Sequence, residues 1–306
     1  MVNMNNNFQE LYNYASSIGC EAVLGENMSL NTSFKTGGPC GVRLSPNSVE
    51  QLKDVITKAN QLEIPFTVLG NGTNVLVPDE GIDKAIIIIG DNMAEYSVEG
   101  EDTLVFSAGT NLVSLCRFAL ENSLSGLEFA FGIPGTCGGA VFMNAGAYGG
   151  EMKDVLTEIT HLTPDMQIET ISAADAELSY RHSVYKKNGC IVLSAKAKLS
   201  KDSKDNIKER MNDFLGRRKD KQPLEYPSAG STFKRPEGYF AGALIQECNL
   251  KGKSVGGAQV SEKHAGFVIN KDNATSTDIL NLIDLIKNTV KTETGVTLEP
   301  EVIVLR

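Results

Sequence analysis

Gly132-Ile133-Pro134-Gly135-Thr136-Cys137-Gly138-Gly139-Ala140-Val141-Phe142-Met143-Asn144-Ala145-Gly146-Ala147-Tyr148-Gly149-Gly150 is the stretch on which the reading of this chain turns. Glycine lets a backbone approach a flat ligand or a pyrophosphate with no side chain between them. A helix starting near Gly138 would add its N-terminal dipole to that approach. Packing of loops explains so many glycines poorly, so a ligand is expected here.

A second glycine-rich turn lies upstream, where Gly70-Asn71-Gly72-Thr73-Asn74 follows the apolar run Phe66 to Leu69. At the end of a strand, its successive N–H groups could cradle a phosphate. It is not a Walker loop, lacking Gly-Lys-Ser/Thr. Nor is it a dinucleotide fingerprint, because Val75 holds the third glycine position and strand-like residues follow. Taken alone, it reads more readily as a tight connection between strands.

Outward from these segments the pattern is mixed. Helical spacing of apolar residues appears at Val49, Leu52, Val55, Ile56 and Ala59, where Ser48 and Gln51 form a capping-box pattern. It recurs at Leu112, Leu115, Cys116, Ala119 and Leu120, then at Ile207, Met211 and Phe214, and at Ile279, Ile283, Ile286 and Val290. Short β-rich runs lie between: Phe66 to Leu69, Val75 to Val77, Ala85 to Ile89, Leu104 to Phe106, Ile191 to Leu193, Phe267 to Ile269 and Val302 to Leu305. The fold class expected is α+β. A polar, charged helix from Lys201 runs into Arg217-Arg218-Lys219-Asp220-Lys221-Gln222-Pro223, which reads as a connection between domains.

With 306 residues, more than one core is expected. The net charge of -9 sets an acidic field that repels polyphosphate, so no nucleic-acid partner and no anionic membrane surface is expected. An anionic small substrate would need a local basic pocket. Met1 to Glu10 carries no cationic segment followed by an apolar one, and no apolar run nears the ~20 residues of a membrane helix. A soluble, cytoplasmic protein is the expectation. Six scattered cysteines without a C-x-x-C pair, and only three histidines, predict reduced thiols and no metal.

The long glycine segment resembles the G-I-P-G-T-[VIC]-G-G-A-x-x-M-N-A-G-A-Y-G-G signature of the UDP-N-acetylenolpyruvoylglucosamine reductases. The first turn is similar to that family's pyrophosphate loop, usually G-G-G-S-N. Further segments match in family order: Asn31-Thr32-Ser33-Phe34-Lys35-Thr36-Gly37-Gly38-Pro39, Tyr180-Arg181-His182-Ser183, Lys221-Gln222-Pro223, Pro227-Ser228-Ala229-Gly230-Ser231-Thr232-Phe233-Lys234-Arg235-Pro236, Ser261-Glu262-Lys263-His264-Ala265-Gly266 and Leu298-Glu299-Pro300-Glu301-Val302. The close spacing of Arg181 and Ser231 resembles the shorter type, which lacks an extra tyrosine loop. Asn71 and Thr73 depart from the usual Gly and Ser, and Ala243 stands where Lys is common.

The resemblance implies a two-domain FAD-binding module of the vanillyl-alcohol-oxidase-like type, at 1–91 and 92–221, and a substrate domain at 222–306 whose last strand returns to the site. It implies FAD held noncovalently by Gly70, Asn71, Gly72, Thr73, Asn74, Gly132, Pro134, Gly135, Thr136, Gly138, Gly139, Asn144, Ala145 and Gly146. The reaction implied is hydride transfer from NADPH to FAD, then from reduced flavin to the enolpyruvyl group of a UDP-sugar, in peptidoglycan precursor synthesis. Hydride addition concentrates charge on the substrate carboxylate, so groups aimed there stabilise the transition state selectively. Arg181 and Glu301 match those groups, and Ser231 matches the proton donor. Lys221 matches a substrate-phosphate lysine and supplies the basic pocket, with Tyr180, Lys234, Arg235 and His264 beside it. A monomer is expected. Two other readings are another flavin oxidoreductase of the same FAD-binding fold and a non-enzymatic flavin sensor, which would need no acid at Ser231.

Overall fold

The structure, a computed structural model, describes residues 2–306, with side chains from residue 6 onward; Met1 of the Met1 to Glu10 segment lies outside the described residues. The helices are α1 (Val2–Ser17), α2 (Val49–Gln61), α3 (Leu112–Glu121), α4 (Cys137–Met143), α5 (Lys204–Lys221), α6 (Ala241–Glu247) and α7 (Ser276–Thr294). The chain forms two compact units. One comprises Met1–Leu24, Val42–Asn71 and Lys84–Arg218; the other comprises Gly25–Gly41, Gly72–Asp83 and Lys219–Arg306.

The first unit carries a four-stranded and a five-stranded sheet beside two short two-stranded ones. In the four-stranded sheet, the strand order is Glu21–Leu24, Cys40–Ser45, Ile82–Ile88, Phe66–Leu69, and the last two run parallel. Leu52, Val55, Ile56 and Ala59 of α2 are buried, as their spacing predicts. At its N-terminus Ser48 accepts from the Gln51 N–H, while the Gln51 side chain accepts from the Asn47 N–H, so the return arm of the capping box is displaced by one residue. The five-stranded sheet is antiparallel in the order Ile168–Ser172, Leu156–Leu162, Ile191–Lys198, Thr103–Ser107, Tyr96–Glu99. Their apolar faces share a core that includes Leu11, Leu44, Ile87, Leu104, Phe106 and Leu115.

The second unit has its own core around Phe34, Leu76, Ile245, Val260, Ile279, Leu282 and Ile286. Its antiparallel sheet runs Ser254–Val255, Ala258–Val260, Val268–Asn270. α7 opens with a full capping box, in which Thr275 accepts from Asp278 N–H and Asp278 accepts from Thr275 N–H, and it closes on Gly295 in the left-handed conformation. The final strand, Ile303–Val304, pairs in parallel with Val75–Leu76. Among the described residues no helix is long and apolar enough to cross a membrane, and no group of His, Cys, Asp or Glu is placed to hold a metal ion.

Candidate functional site

The glycine-rich stretch builds a turn, a short helix and a second turn in the first unit. Thr136 caps α4, its hydroxyl accepting from Gly139 N–H at 3.4 Å. Gly135, with φ +136°, takes a conformation that a side chain would resist. Gly70 is a glycine for another reason, because a Cβ there would overlap the Thr136 hydroxyl. The two glycine-rich segments are therefore pressed together at that point. Gly138 packs on Ala108, where a Cβ would come within 2.7 Å of that side chain.

The expected free helix N-terminus has a different outcome. Cys137 N–H donates to Thr110 O at 2.8 Å and Gly138 N–H to Ala108 O at 2.9 Å, and Gly139 N–H turns to Thr136. The first donors of α4 are thus bonded inside the protein. Gly139 is the glycine that the protein's own packing does not require. A Cβ there would meet only the Thr136 hydroxyl, at 3.6 Å.

Asn144 ends α4 in the left-handed conformation (φ 43°) and is fully buried. Its Nδ2 donates to Glu151 Oε2 at 2.6 Å and to Ser179 O at 3.0 Å, and its Oδ1 accepts from Lys153 N–H at 2.9 Å. Ser179 and His182 exchange backbone hydrogen bonds, forming a tight turn with Tyr180 and Arg181 at its tip. Arg181 stands at φ +53°, its Nη2 donates to Gly146 O at 3.2 Å, and its guanidinium lies 5.1 Å from the Tyr180 ring.

One residue that the sequence reading passed over is Arg218. Its Nε and Nη1 are buried with no hydrogen-bond partner, and burial pulls its pKa below the usual arginine value. It lies beside Gly132, where a Cβ would sit 3.8 Å from Nη1. Phe214, one turn earlier, stacks flat on Tyr148 at 4.9 Å between ring centroids. The signal was present: Ile207, Met211 and Phe214 mark the apolar stripe of α5, and Arg218 continues it.

In the second unit, Ser231, Glu301 and Asn74 are drawn together by backbone pairing. Thr232 is buried, its N–H donating to Gly266 O at 2.9 Å and its hydroxyl accepting from Val268 N–H at 2.9 Å. On its other side Glu301 N–H donates to Thr232 O at 2.8 Å, and Phe233 bridges Pro300. Asn74 Nδ2 donates to Glu301 O at 3.2 Å. Ser231 therefore sits beside a segment, Thr232-Phe233, bonded on both sides, and is itself exposed.

Three other expected substrate-binding residues, Lys234, Arg235 and His264, also lie in the second unit. Lys234 reaches Glu299 at 3.1 Å, and the Arg235 guanidinium stacks on Phe240 at 4.0 Å. His264 accepts from Gly266 N–H at Nδ1, 3.1 Å away, which leaves a neutral ring's proton on Nε2. Burial holds its pKa below the usual histidine value, and the charges of Lys251 and Lys221 push the same way. The neutral ring thus keeps an Nε2–H donor within reach of the charges of Lys251 and Lys221.

Comparison with known proteins gives this geometry its context. The family described as UDP-N-acetylenolpyruvoylglucosamine reductase, C-terminal domain, matches residues 222–305, and the FAD binding domain family matches residues 41–172. A UDP-N-acetylenolpyruvoylglucosamine reductase of Syntrophomonas wolfei is 48% identical over 279 residues, covering 91% of this chain and 93% of its own. One of Latilactobacillus sakei is 49% identical over 277 residues, covering 90% and 91%. The solved structure of the reductase from Thermus caldophilus is similar with a TM-score of 0.80 and 35% identity, covering 94% of this chain and 99% of that one. The residues present fit FAD. Gly139 leaves open the space a side chain would fill, and Arg218 keeps two buried donors for an acceptor that the protein does not supply. From the matches along nearly its whole length, this chain belongs to the UDP-N-acetylenolpyruvoylglucosamine reductase family and is an FAD-dependent oxidoreductase.

Proposed function

We propose that this protein carries out the NADPH-dependent, FAD-mediated reduction of UDP-N-acetylglucosamine enolpyruvate to UDP-N-acetylmuramate for peptidoglycan synthesis, as a cytoplasmic monomer. The observation that carries the reading is the identity of nearly half over nine-tenths of the chain to reductases named for that substrate. Residues 1–91 and 92–221 serve the cofactor and 222–306 the substrate. FAD, when bound, supplies the hydride chemistry.

The chain's own residues then do the rest. Gly70 to Asn74 and Gly132 to Gly146 would hold the cofactor, and the buried Nε–H and Nη1–H of Arg218 would be donors for it. Asn74 serves through its backbone, its side chain being bonded to Glu301 O. Arg181 stabilises the substrate carboxylate as charge builds there, and Glu301 helps as a protonated acid or through a hydrogen-bonded neighbour, since its carboxylate would repel that charge. The Ser231 hydroxyl, exposed and without a hydrogen-bond partner among the described residues, gives its proton to the carbon next to that carboxylate. Lys221 and the Nε2–H of His264 receive the diphosphate, and Tyr180, Lys234 and Arg235 are the further substrate-binding residues.

Two half-reactions test this. NADPH should bleach the yellow protein, and the enolpyruvyl sugar should restore the colour without oxygen. In Ser231→Ala the bleaching should keep its rate, while recovery by the sugar should slow on the order of 10²- to 10⁴-fold. Equal slowing of both steps would remove Ser231 as the donor. Fast recovery with oxygen and none with the sugar would favour another flavin oxidoreductase.

A further inference from the structure

The contacts of Asn144 go beyond forming a bed for the cofactor. We propose that Asn144 is a positioning residue for Arg181, acting with Ser183 to fasten the Tyr180-Arg181 turn to the end of α4; this rests on the proposed role of Arg181.

The side chain is fully committed. Both Nδ2 hydrogens have acceptors, Glu151 Oε2 and Ser179 O, and Oδ1 has a donor in Lys153 N–H. The reversed amide would set its oxygen against two acceptors, so the orientation is fixed by chemistry. Ser179 is the residue on which the turn starts, and its carbonyl takes the Asn144 bond. On the far shoulder, Ser183 is also fully buried and donates through its hydroxyl to Phe142 O at 2.6 Å. The tip is held by the Arg181 bond to Gly146 O. Both shoulders and the tip are therefore attached to one stretch, Phe142 to Gly146.

The turn needs such attachment. Arg181 and Glu177 both stand at positive φ, at 53° and 50°, in the left-handed region that non-glycine residues hold only under constraint. A loop of that kind relaxes when its ties are cut. Asn144 stands at φ 43°, which glycine adopts at no cost, so the helix cap alone would be served as well by glycine. What asparagine adds is the set of three bonds. They join the stretch expected to meet the cofactor to the turn that carries the guanidinium expected to meet the substrate.

The test uses the holoenzyme and the variants N144G, S183A, R181A and N144G/R181A. N144G keeps the backbone conformation while removing all three bonds; S183A removes one bond and keeps the fold if N144G does not. S183A, at a residue outside the cofactor bed, is expected to retain FAD affinity within about 2-fold and the normal rate of bleaching by NADPH. Recovery by the enolpyruvyl sugar is expected to slow on the order of 10- to 100-fold, the range for a displaced catalytic group. N144G, which loses three bonds, should slow recovery by the sugar further than S183A does. N144G/R181A should be no slower than R181A, since a residue acting through another adds nothing once that one is gone. Loss of FAD affinity in S183A would show that these ties serve the cofactor and would overturn the positioning role. Unchanged recovery in both N144G and S183A, or additive losses in the double variant, would overturn the positioning role. A wild-type protein that does not recover with the sugar would remove the functional reading itself, and the inference with it.

Discussion

Replacing Arg218 by methionine should stabilise the ligand-free protein and weaken its hold on FAD. The structure gives the size of both effects. Nε and Nη1 of Arg218 are buried without partners, and an unsatisfied buried donor costs roughly 1–3 kcal/mol. Methionine keeps a long apolar stem against Gly132 and removes both donors, so about 2 kcal/mol of stability is expected even at the low end. For a unit of this size that is a rise of about 4–8 °C in the thermal midpoint. With FAD the sign reverses: a hydrogen bond from a charged donor contributes about 1.5–3 kcal/mol, so losing one raises the dissociation constant by about 10- to 150-fold. The assay is thermal melting of deflavinated wild type and Arg218→Met, each with and without FAD, beside a flavin-fluorescence titration. A structural arginine would behave differently, its loss lowering the ligand-free midpoint. That result, or an unchanged FAD affinity, would refute the reasoning.

Gly139→Leu should fold with a near-normal ligand-free melting temperature but be purified without colour, because its side chain enters space that the protein leaves open; stoichiometric flavin in that variant would count against the bed at α4. Lys221→Ala should mainly raise the Michaelis constant for the UDP-sugar, as loss of a ground-state charge contact does, and steady-state kinetics with varied sugar would detect a collapse of turnover instead. His264 ties stability to pH. Its folded pKa lies below the unfolded value of about 6.5, so the unfolded chain binds the extra proton, and the contribution of the neutral ring is complete above that value and lost as pH falls through the folded pKa. His264→Gln, which does not titrate, should therefore lose less stability than wild type between pH 7.5 and 5 in urea unfolding, and equal losses would show that this ring is not the titrating group.

Periodicity located the elements that bury one face. Leu52, Val55, Ile56 and Ala59 predicted α2, and Ile279, Ile283, Ile286 and Val290 predicted α7, because in each an apolar stripe meets a core and a cap marks the start. α1 left little trace. Its sequence is rich in asparagine, a poor helix former, and it is held by burial of Phe8, Leu11 and Ala15. Strands such as Leu156–Leu162 and Ile168–Ser172 also escaped notice, since polar residues such as Glu158, Thr160 and Glu169 interrupt the apolar pattern. At the site, motifs named the residues but not the work their side chains do. Nothing local to Asn144 or Asn74 shows that each amide bonds a distant backbone carbonyl, at Ser179 and Glu301 respectively. Arg218 is the opposite case, a charge in an apolar stripe that periodicity could have flagged.

The interleaving of the second unit along the chain bears on how the protein comes to be made. Phe34 and Leu76 belong to a core whose other members lie between Ala229 and Val302, and Val75–Leu76 pairs with the last strand, Ile303–Val304. During synthesis those early segments leave the ribosome long before their partners exist, and they wait with apolar side chains uncovered. Contacts so far apart in sequence close slowly, which lengthens the interval in which a nascent chain is open to aggregation or to a chaperone. For the same reason a fragment consisting of residues 222–306 alone lacks two buried side chains and the partner of its final strand, and a chain released early by a stop codon before Lys219 keeps Phe34 and Leu76 without a core to enter.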